Sequence, residues 1–282
     1  MVSKFISCLI SLMVFFSCAD ARDTITWLVV DWPPFMILEG EQKGEGLFDK
    51  VLALAQKNMP QYEHVNVKMN WTRFWTDVAE GQHVCNIFAI KTIEREKITE
   101  ISESYIYFVP NAIIMKKTTI EKLGNPKSYS LIELLKDNRF HGMIETTRSY
   151  SELDSILKNL TATNLVRKAA PPQSYIRMIA EDRIDYTLEY PKIAAYLDQE
   201  NNPLPNQLSS VAIKELPAYT YGYTACPKNE WGKQVVEDWN QIFRQLKSTP
   251  EYFQVISTGV TDERELNLLR ENFEYFRAVQ VI

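Results

Sequence analysis

Segments that favour β-strands alternate with segments that favour α-helices, and this alternation constrains the fold more than any other feature of the sequence. The strand-like segments are residues 24–30, 65–69, 84–90, 111–115, 143–144, 186–188 and 219–226. The helix-like segments are residues 47–58, 71–80, 131–136, 151–160, 175–181, 232–246 and 261–276. Regular alternation of this kind predicts an α/β fold with largely parallel sheets. The 282 residues are enough for one large domain or for two lobes of about 100–150 residues each.

The first 21 residues have the pattern of a signal peptide. Lys4 precedes an apolar run over residues 5–16, and small residues follow up to Ala21. The apolar run is too short to span a bilayer, which takes about 20 residues. We therefore expect residues 1–21 to be removed and the mature chain to reach the periplasm. Lipid attachment at Cys18 is the alternative, but the residues before it, Phe15-Phe16-Ser17, fit a lipoprotein site poorly.

Composition excludes several classes of function. The proportions of hydrophobic and charged residues, 45% and 24%, exclude disorder, and the net charge of −5 without a basic stripe excludes nucleic-acid binding. Three histidines and four cysteines, none at metal-ligand spacing, predict no metal and no cofactor. The histidines are scattered, and no G-x-S-x-G sequence is present, so nucleophilic catalysis has no support.

Cys85 and Cys226 are the two cysteines of the expected mature chain. Two thiols in an oxidising compartment often pair. Two separate buried thiols, which behave as small hydrophobic groups, are the alternative. The cysteine spacing alone does not decide between them.

Several motifs occur in an order that resembles one family. They are Asp31-Trp32-Pro33-Pro34-Phe35, Gly44-Glu45-Gly46 before a helix, Glu80-Gly81-Gln82-His83-Val84-Cys85, Thr92-Ile93-Glu94-Arg95, Ser104-Tyr105, and Asp182-Arg183-Ile184-Asp185 followed by Glu189. The ordered set resembles the type II periplasmic solute-binding proteins, which include the polar amino-acid binders of ABC importers. The chain departs from the family pattern where Thr147 replaces a glycine and Glu189 replaces an aspartate, and these departures leave the identity of the ligand open.

The resemblance implies a two-lobed fold whose lobes are joined by two hinge strands, with the ligand in the cleft between them. Mapped onto this chain, lobe one comprises residues 24–115 and 220–282, and lobe two is the inserted segment 116–219. Strand ends and helix starts would face the cleft, as they do in open α/β sheets.

Charged residues in the matched motifs are the candidate ligand contacts that the resemblance implies. Arg95 would clamp a carboxylate through two parallel N–H···O bonds, with Thr92 of the same motif beside it. Glu189 would reach the cleft from lobe two and accept hydrogen bonds from a ligand ammonium group. A zwitterion would then bridge the two lobes and favour closure. The local alternatives are a surface arginine that pairs with its neighbours and a solvated glutamate at a helix start.

The segment that ends at Tyr150 and the loop that follows the first strand add further candidates. Ser149 would begin a helix whose free N–H groups could hold an anionic ligand group, although an ordinary N-cap explains it equally well. Arg148 would supply a second cation, and Tyr150 belongs to the same segment. At the cleft rim, Trp32 and Phe35 would cover an apolar or cationic part of the ligand, or pack around the diproline turn.

The remaining candidates are a rim carboxylate, three aromatic residues and the cysteine pair. Asp31 is included among the ligand contacts because it starts the loop that carries Trp32 and Phe35. Trp71, Phe74 and Trp75 have helical spacing, which predicts a place in the core. In the resembled fold, the strand with Cys226 runs against the strand with Cys85, so a disulfide would join them away from the cleft.

The expected function is that of an exported solute-binding protein. It would capture a small polar solute, an amino acid or a related carboxylate, for an ABC permease or a membrane sensor, as a monomer without cofactors. The alternative is a periplasmic enzyme of dehydratase or lytic type on the same fold. Its acid or base would have to be Glu145, Glu189 or Asp31.

Overall fold

The computed structural model describes residues 22–146, 148, 150, 152–159, 164–201, 206–260 and 263–278. The predicted signal peptide, including Cys18, and the predicted anion-binding residue Ser149 lie outside the described residues. None of the helices in the described part of the chain is both long enough and apolar enough to span a bilayer.

Strands and helices alternate through the described chain, as the sequence predicts. The strands are β1 (Thr24–Val29), β2 (Glu63–Lys68), β3 (Val84–Ala89), β4 (Thr99–Ile101), β5 (Ile106–Phe108), β6 (Ala112–Lys116), β7 (Ser128–Tyr129), β8 (Gly142–Glu145), β9 (Leu165–Lys168), β10 (Tyr186–Glu189), β11 (Leu208–Ile213) and β12 (Thr220–Pro227). The helices are α1 (Leu47–Asn58), α2 (Trp71–Ala79), α3 (Ile93–Glu96), α4 (Lys117–Lys122), α5 (Leu131–Leu134), α6 (Leu153–Asn159), α7 (Pro172–Ala180), α8 (Pro191–Asn201), α9 (Glu230–Leu246), α10 (Pro250–Ile256) and α11 (Glu263–Ala278).

Two mixed sheets organise the chain. In the first sheet the order is β2-β1-β3-β12-β4, with β5 paired to the end of β12. In the second sheet the order is β7-β11-β6-β10-β8-β9. The expectation of largely parallel sheets is only partly right, because β12 runs antiparallel to β3, β4 and β5, and β6 runs antiparallel to both of its neighbours.

The chain crosses between the sheets twice. It leaves the first sheet after β5 and enters the second at β6, and it returns between β11 and β12. Because β6 pairs with β10 and β11, residues 112–115 belong to the second sheet, whereas the sequence analysis assigned them to lobe one. The apolar strand could not be assigned to a sheet from its own sequence.

Each sheet has its own apolar core, built from the inward faces of the helices that cover it. Helix α9 shows how the sequence achieves this: Val235, Trp239 and Phe243 repeat at helical spacing and are buried, and the Asn229 side chain caps the helix by accepting a hydrogen bond from Gly232 N–H. Trp239 packs on Trp27 of β1, with ring centroids 5.6 Å apart. The amphipathic helix thus covers the first sheet.

Cys85 of β3 and Cys226 of β12 form a disulfide, with Cα atoms 4.4 Å apart. The two strands are antiparallel neighbours, which is the arrangement that the resemblance implied. The bond joins the returning strand to the centre of the first sheet.

A buried lysine gives the first sheet a predicted pH dependence. The ammonium group of Lys247 donates to the carbonyl of Ser104 and lies 4.5 Å from the centroid of the Phe276 ring. Burial lowers the pKa of Lys247 to about 8, against the opposing effect of Glu103, while Arg244 lowers it further. The unfolded chain therefore binds more protons than the folded protein between pH 8 and about 10.5, so stability rises with pH in this window.

We expect the free energy of unfolding to rise by roughly 1–2 kcal/mol between pH 8 and 9.5, measured by urea denaturation. The Lys247→Met variant should show no such rise. An identical pH profile for the wild type and the variant would contradict this account of Lys247.

Candidate functional site

The candidate site is built where strands of the two sheets end. Trp32 follows β1 and Arg95 follows β3, and these two strands are parallel neighbours. Arg148 follows β8 and Glu189 ends β10, which are also parallel neighbours. Since the carboxyl ends of parallel strands share one edge of a sheet, each sheet presents two of these residues at one edge.

The loop after β1 is held by its own backbone. Trp32 N–H donates to the Met36 carbonyl, and Phe35 N–H donates to the Trp32 carbonyl, each over 2.9 Å. Gly46 lies so close to this loop that a Cβ there would approach the Phe35 carbonyl oxygen to 2.6 Å, so only glycine fits. The loop places Phe35 in the core, which supports the packing interpretation of that residue.

Asp31 is exposed and helps to close the same loop. Its Oδ1 accepts a hydrogen bond of 3.2 Å from Leu38 N–H. The expectation that Asp31 binds the ligand is not tested by any contact, and the observed bond gives its carboxylate a structural role.

Arg95 is positioned by the start of α3. Thr92 caps this helix, and its hydroxyl accepts a bond of 3.3 Å from Arg95 N–H. The Arg95 guanidinium donates from Nη1 to the Ile90 carbonyl over 2.9 Å and lies 4.9 Å from the centroid of the Trp75 ring. Desolvation lowers the pKa of Arg95, and no carboxylate among the described residues forms an ion pair with it. The local alternative, in which Arg95 pairs with acidic neighbours, is therefore not what the structure shows.

Glu189 and Arg148 form a buried ion pair. Nη1 of Arg148 lies 2.5 Å from Oε2 of Glu189, and Nη2 lies 2.7 Å from Oε1, while Nη2 also donates to Asn111 Oδ1 over 3.2 Å. Glu189 is only 2% exposed. Burial alone would lower the pKa of Arg148, but the facing Glu189 carboxylate raises it above its ordinary value.

This pairing revises two expectations. Glu189 was expected to be a free acceptor for a ligand ammonium group, and Arg148 a free second cation. Each instead neutralises the other. The two residues are 41 positions apart, and they meet because β8 and β10 are neighbours.

Two tyrosine rings pack against the Arg148 guanidinium. Its Cζ lies 5.1 Å from the centroid of the Tyr150 ring and 5.5 Å from that of the Tyr190 ring. Burial raises the pKa of each tyrosine to about 12. The Tyr150 hydroxyl accepts a hydrogen bond from Glu145 N–H over 3.1 Å. Tyr150 is therefore buried and packs against the Arg148 guanidinium.

Aromatic side chains connect Arg95 to Arg148, and we call them the aromatic row. In order, the aromatic row consists of Trp75, Trp71, Phe88, Trp32 and Tyr190, whose successive ring centroids are 6.3, 5.5, 6.4 and 5.9 Å apart. Trp71 is 42% exposed and Trp75 is half-buried, so the prediction of a core place is wrong for Trp71 and right for Phe74, which is fully buried. Within the row, Trp71, Trp75 and Trp32 keep exposed ring surface, whereas Phe88 and Tyr190 are buried.

Tyr190 joins the two sheets. Tyr190 directly follows β10 of the second sheet. Its ring centroid lies within 6 Å of the ring centroids of Trp32, Phe35 and Phe108, which belong to the part of the chain that forms the first sheet. A cavity beside this contact is lined by both parts, including Phe108, Tyr190 and Ile256. Tyr190 therefore contacts both the Arg148 guanidinium and the loop after β1, whereas the cavity is lined by neither Arg95 nor Arg148.

Comparisons with known proteins support the same architecture. No protein-family model matches the sequence, and no curated protein sequence matches it. Among solved structures, a probable amino-acid ABC transporter extracellular-binding protein from Bacillus subtilis is 15% identical, with 86% of this chain and all of that chain covered and a TM-score of 0.67. The chain has the periplasmic-binding-protein fold.

Two further structures with this fold show its range. An amino-acid ABC transporter substrate-binding protein from Streptococcus pneumoniae, bound to L-arginine, is 17% identical over 84% of this chain and 94% of that chain, with a TM-score of 0.60. A histidine kinase sensor domain with similarity to periplasmic binding proteins is 14% identical over 85% of this chain and 96% of that chain, with a TM-score of 0.64. At these identities the likeness shows the fold.

The structure adds residues to the surroundings of Arg148 and to the aromatic row that the sequence did not single out. Asn111 and Tyr190 complete the surroundings of Arg148, and Phe88 links the two halves of the aromatic row. Tyr190 directly follows Glu189, and Trp71 and Trp75 are four residues apart on one helix face, so these positions carried a readable signal.

The carboxylates considered for catalysis are engaged in structural contacts. Glu145 accepts a short hydrogen bond from Arg148 N–H, Glu189 pairs with Arg148, and Asp31 closes its loop. Within the described ranges, no group of three or more His, Cys, Asp or Glu residues could hold a metal ion.

Proposed function

We propose that this protein captures a small carboxylate-bearing solute in the cleft between its two lobes. The observation that carries the proposal is the Arg95 guanidinium, which lies at the carboxyl end of β3 with no ion-pair partner in the described structure. A planar guanidinium can bind a carboxylate through two parallel hydrogen bonds. The similarity to amino-acid-binding proteins of ABC importers supports a role in solute capture.

The contacts that hold the Arg95 side chain favour its binding of a carboxylate. One contact, from Nη1 to the Ile90 carbonyl, fixes the guanidinium, and the Trp75 ring covers one of its faces. A cation held in a partly desolvated place loses less freedom when it binds an anion than a mobile surface arginine does. The Arg95 guanidinium is thus preorganised to bind an anion.

Captured solute would be delivered to a membrane partner after export of the mature chain to the periplasm. An ABC permease is the first candidate, because several solved structures with this fold belong to ABC importers. The histidine kinase sensor domain with the same fold favours a second candidate, a sensor that reports the solute. In both cases the event within this chain is the same, namely closure of the cleft on a solute.

Replacement of Arg95 by alanine should abolish binding while leaving the empty protein almost as stable. The replacement removes one hydrogen bond and one ring contact, so we expect a loss of about 1 kcal/mol in the free energy of unfolding. A bound solute at 100 times its dissociation constant adds about 2.7 kcal/mol of stability. Thermal-shift screening with small carboxylates should therefore give stabilised wild-type protein and unchanged Arg95→Ala protein.

Arg139 provides the matched control, because it is exposed and pairs with its neighbour Asp137. The Arg139→Ala variant should respond to ligands as the wild type does. Equal ligand-induced shifts in the wild type and in Arg95→Ala would overturn the proposal, and a large loss of stability in the empty Arg95→Ala variant would show that Arg95 is structural.

A further inference from the structure

The contacts of Arg148 and Glu189 also indicate which carboxylates bind in the cleft. This inference rests on the proposed function. We infer that Arg148 occupies the place that a ligand ammonium group would need beside Glu189, so that the cleft selects monocarboxylates with an apolar or aromatic body and no α-ammonium group. Arg148 is then a specificity-determining residue of the site.

The hydrogen-bonding capacity of Glu189 is largely used within the protein. Oε1 accepts from Arg148 Nη2 and from the N–H of Tyr190, each over 2.7 Å, and Oε2 accepts from Arg148 Nη1. The Glu189 side chain is 3% exposed. A ligand ammonium group would therefore have to displace the guanidinium to reach this carboxylate.

Displacement of Arg148 is opposed by several contacts at once. Asn111 accepts from its Nη2, Tyr150 and Tyr190 pack against its guanidinium, and its backbone N–H donates to the Glu145 carboxylate. A guanidinium moved out of this place would lose charge-assisted hydrogen bonds in a buried setting, which is strongly unfavourable. Arg148 is therefore a fixed part of the cleft.

The charges beside the aromatic row favour a single negative charge on the ligand. The cations in contact with the row are Arg95, over Trp75, and Arg148, over Tyr190. Glu189 neutralises Arg148, so that Arg95 contributes the one uncompensated positive charge of this set. A ligand ammonium group would meet this charge without access to the Glu189 carboxylate, which is paired with Arg148. A monocarboxylate, with its single negative charge, balances the one net positive charge of Arg95, Arg148 and Glu189.

The aromatic row supplies the surface for the remainder of the ligand. Trp71 is exposed, and Trp75 and Trp32 are half-buried, so that their rings keep area that a ligand can cover. Aromatic faces gain most from covering apolar or aromatic groups. An apolar or aromatic body of the ligand would lie along the row while its carboxylate reaches Arg95.

Pairs of compounds that differ only in the α-ammonium group test this inference. The pairs are 3-phenylpropionate with phenylalanine, indole-3-propionate with tryptophan, and 4-methylpentanoate with leucine. We expect the wild-type protein to bind the acid that lacks the ammonium group at least tenfold more tightly in at least one pair, as measured by isothermal titration calorimetry at pH 7.

Variants at position 148 test the assigned role of the arginine. Arg148→Met frees the Glu189 carboxylate, and we expect it to shift the preference within the same pair at least tenfold toward the amino acid. Arg148→Lys keeps a cation beside Glu189 and should keep the wild-type preference. In the Arg148→Met/Glu189→Gln double variant the carboxylate is also removed, and the gain for the amino acid should disappear.

The wild-type measurement decides the inference even where an Arg148 variant fails to fold. Amino acids that bind as tightly as their partners, or more tightly, overturn the selectivity while the proposed capture of carboxylates stands. Absence of binding by every compound in the three pairs also overturns it. The proposed function fails by a different result, namely ligand binding that is unchanged in Arg95→Ala.

Discussion

Replacement of Arg148 by methionine is expected to lower the free energy of unfolding by about 3–5 kcal/mol. The reason is the Glu189 carboxylate, which is 2% exposed and would remain buried without its cation. Removing one partner of a buried ion pair costs far more than the pair itself contributes, because the remaining charge has lost both water and its partner. Of the single substitutions considered for this cleft, this one should have the largest effect on stability.

Urea denaturation of a double-mutant cycle measures this effect. The Arg148→Met/Glu189→Leu variant replaces the pair by apolar side chains and should recover most of the loss. Losses of equal size in the single and the double variant would show that the two side chains do not act as a pair.

Removal of the Cys85–Cys226 disulfide is expected to cost about 2–4 kcal/mol. The bond joins residues 141 positions apart, so it restricts a long stretch of the unfolded chain. Both cysteines are fully buried between neighbouring strands, and their replacement by alanine removes little else. The Cys85→Ala/Cys226→Ala variant should therefore unfold at a lower urea concentration than the oxidised wild type.

A reducing agent provides the control for the disulfide. Unfolding the wild type in dithiothreitol should give nearly the stability of the double variant, and dithiothreitol should leave the double variant unchanged. A wild-type unfolding curve that is the same with and without dithiothreitol would show that the bond is absent in the protein in solution.

Long apolar segments were predictable from the sequence, whereas short edge strands were not. The segments 24–30, 84–90 and 219–226 correspond to β1, β3 and β12 within one residue at each end. By contrast, β4, β5 and β7 have three residues or fewer and carry no recognisable period, so only pairing with a neighbouring strand defines them. Helix α8 is also missing from the sequence analysis, although proline is common at the first helical position, which Pro191 occupies here.

The position of Arg95 beside a strand end was predictable from the sequence, but the pairing of Glu189 with Arg148 was not. Arg95 lies next to a strand end because its motif follows an apolar strand directly. The pairing of Arg148 with Glu189 depends on the parallel contact between β8 and β10, which no local pattern encodes. The expectation of a zwitterion bridge treated Glu189 and Arg148 as free charges, whereas the structure pairs them.

Native mass spectrometry of freshly purified protein tests the central claim, that Arg95 holds an anionic solute in the interlobe cleft. The wild type and Arg139→Ala are predicted to carry the same small organic acid at one molecule per chain, and Arg95→Ala is predicted to be bare. A wild type that is as bare as Arg95→Ala, or an Arg95→Ala variant that carries the same acid at full occupancy, would contradict the claim.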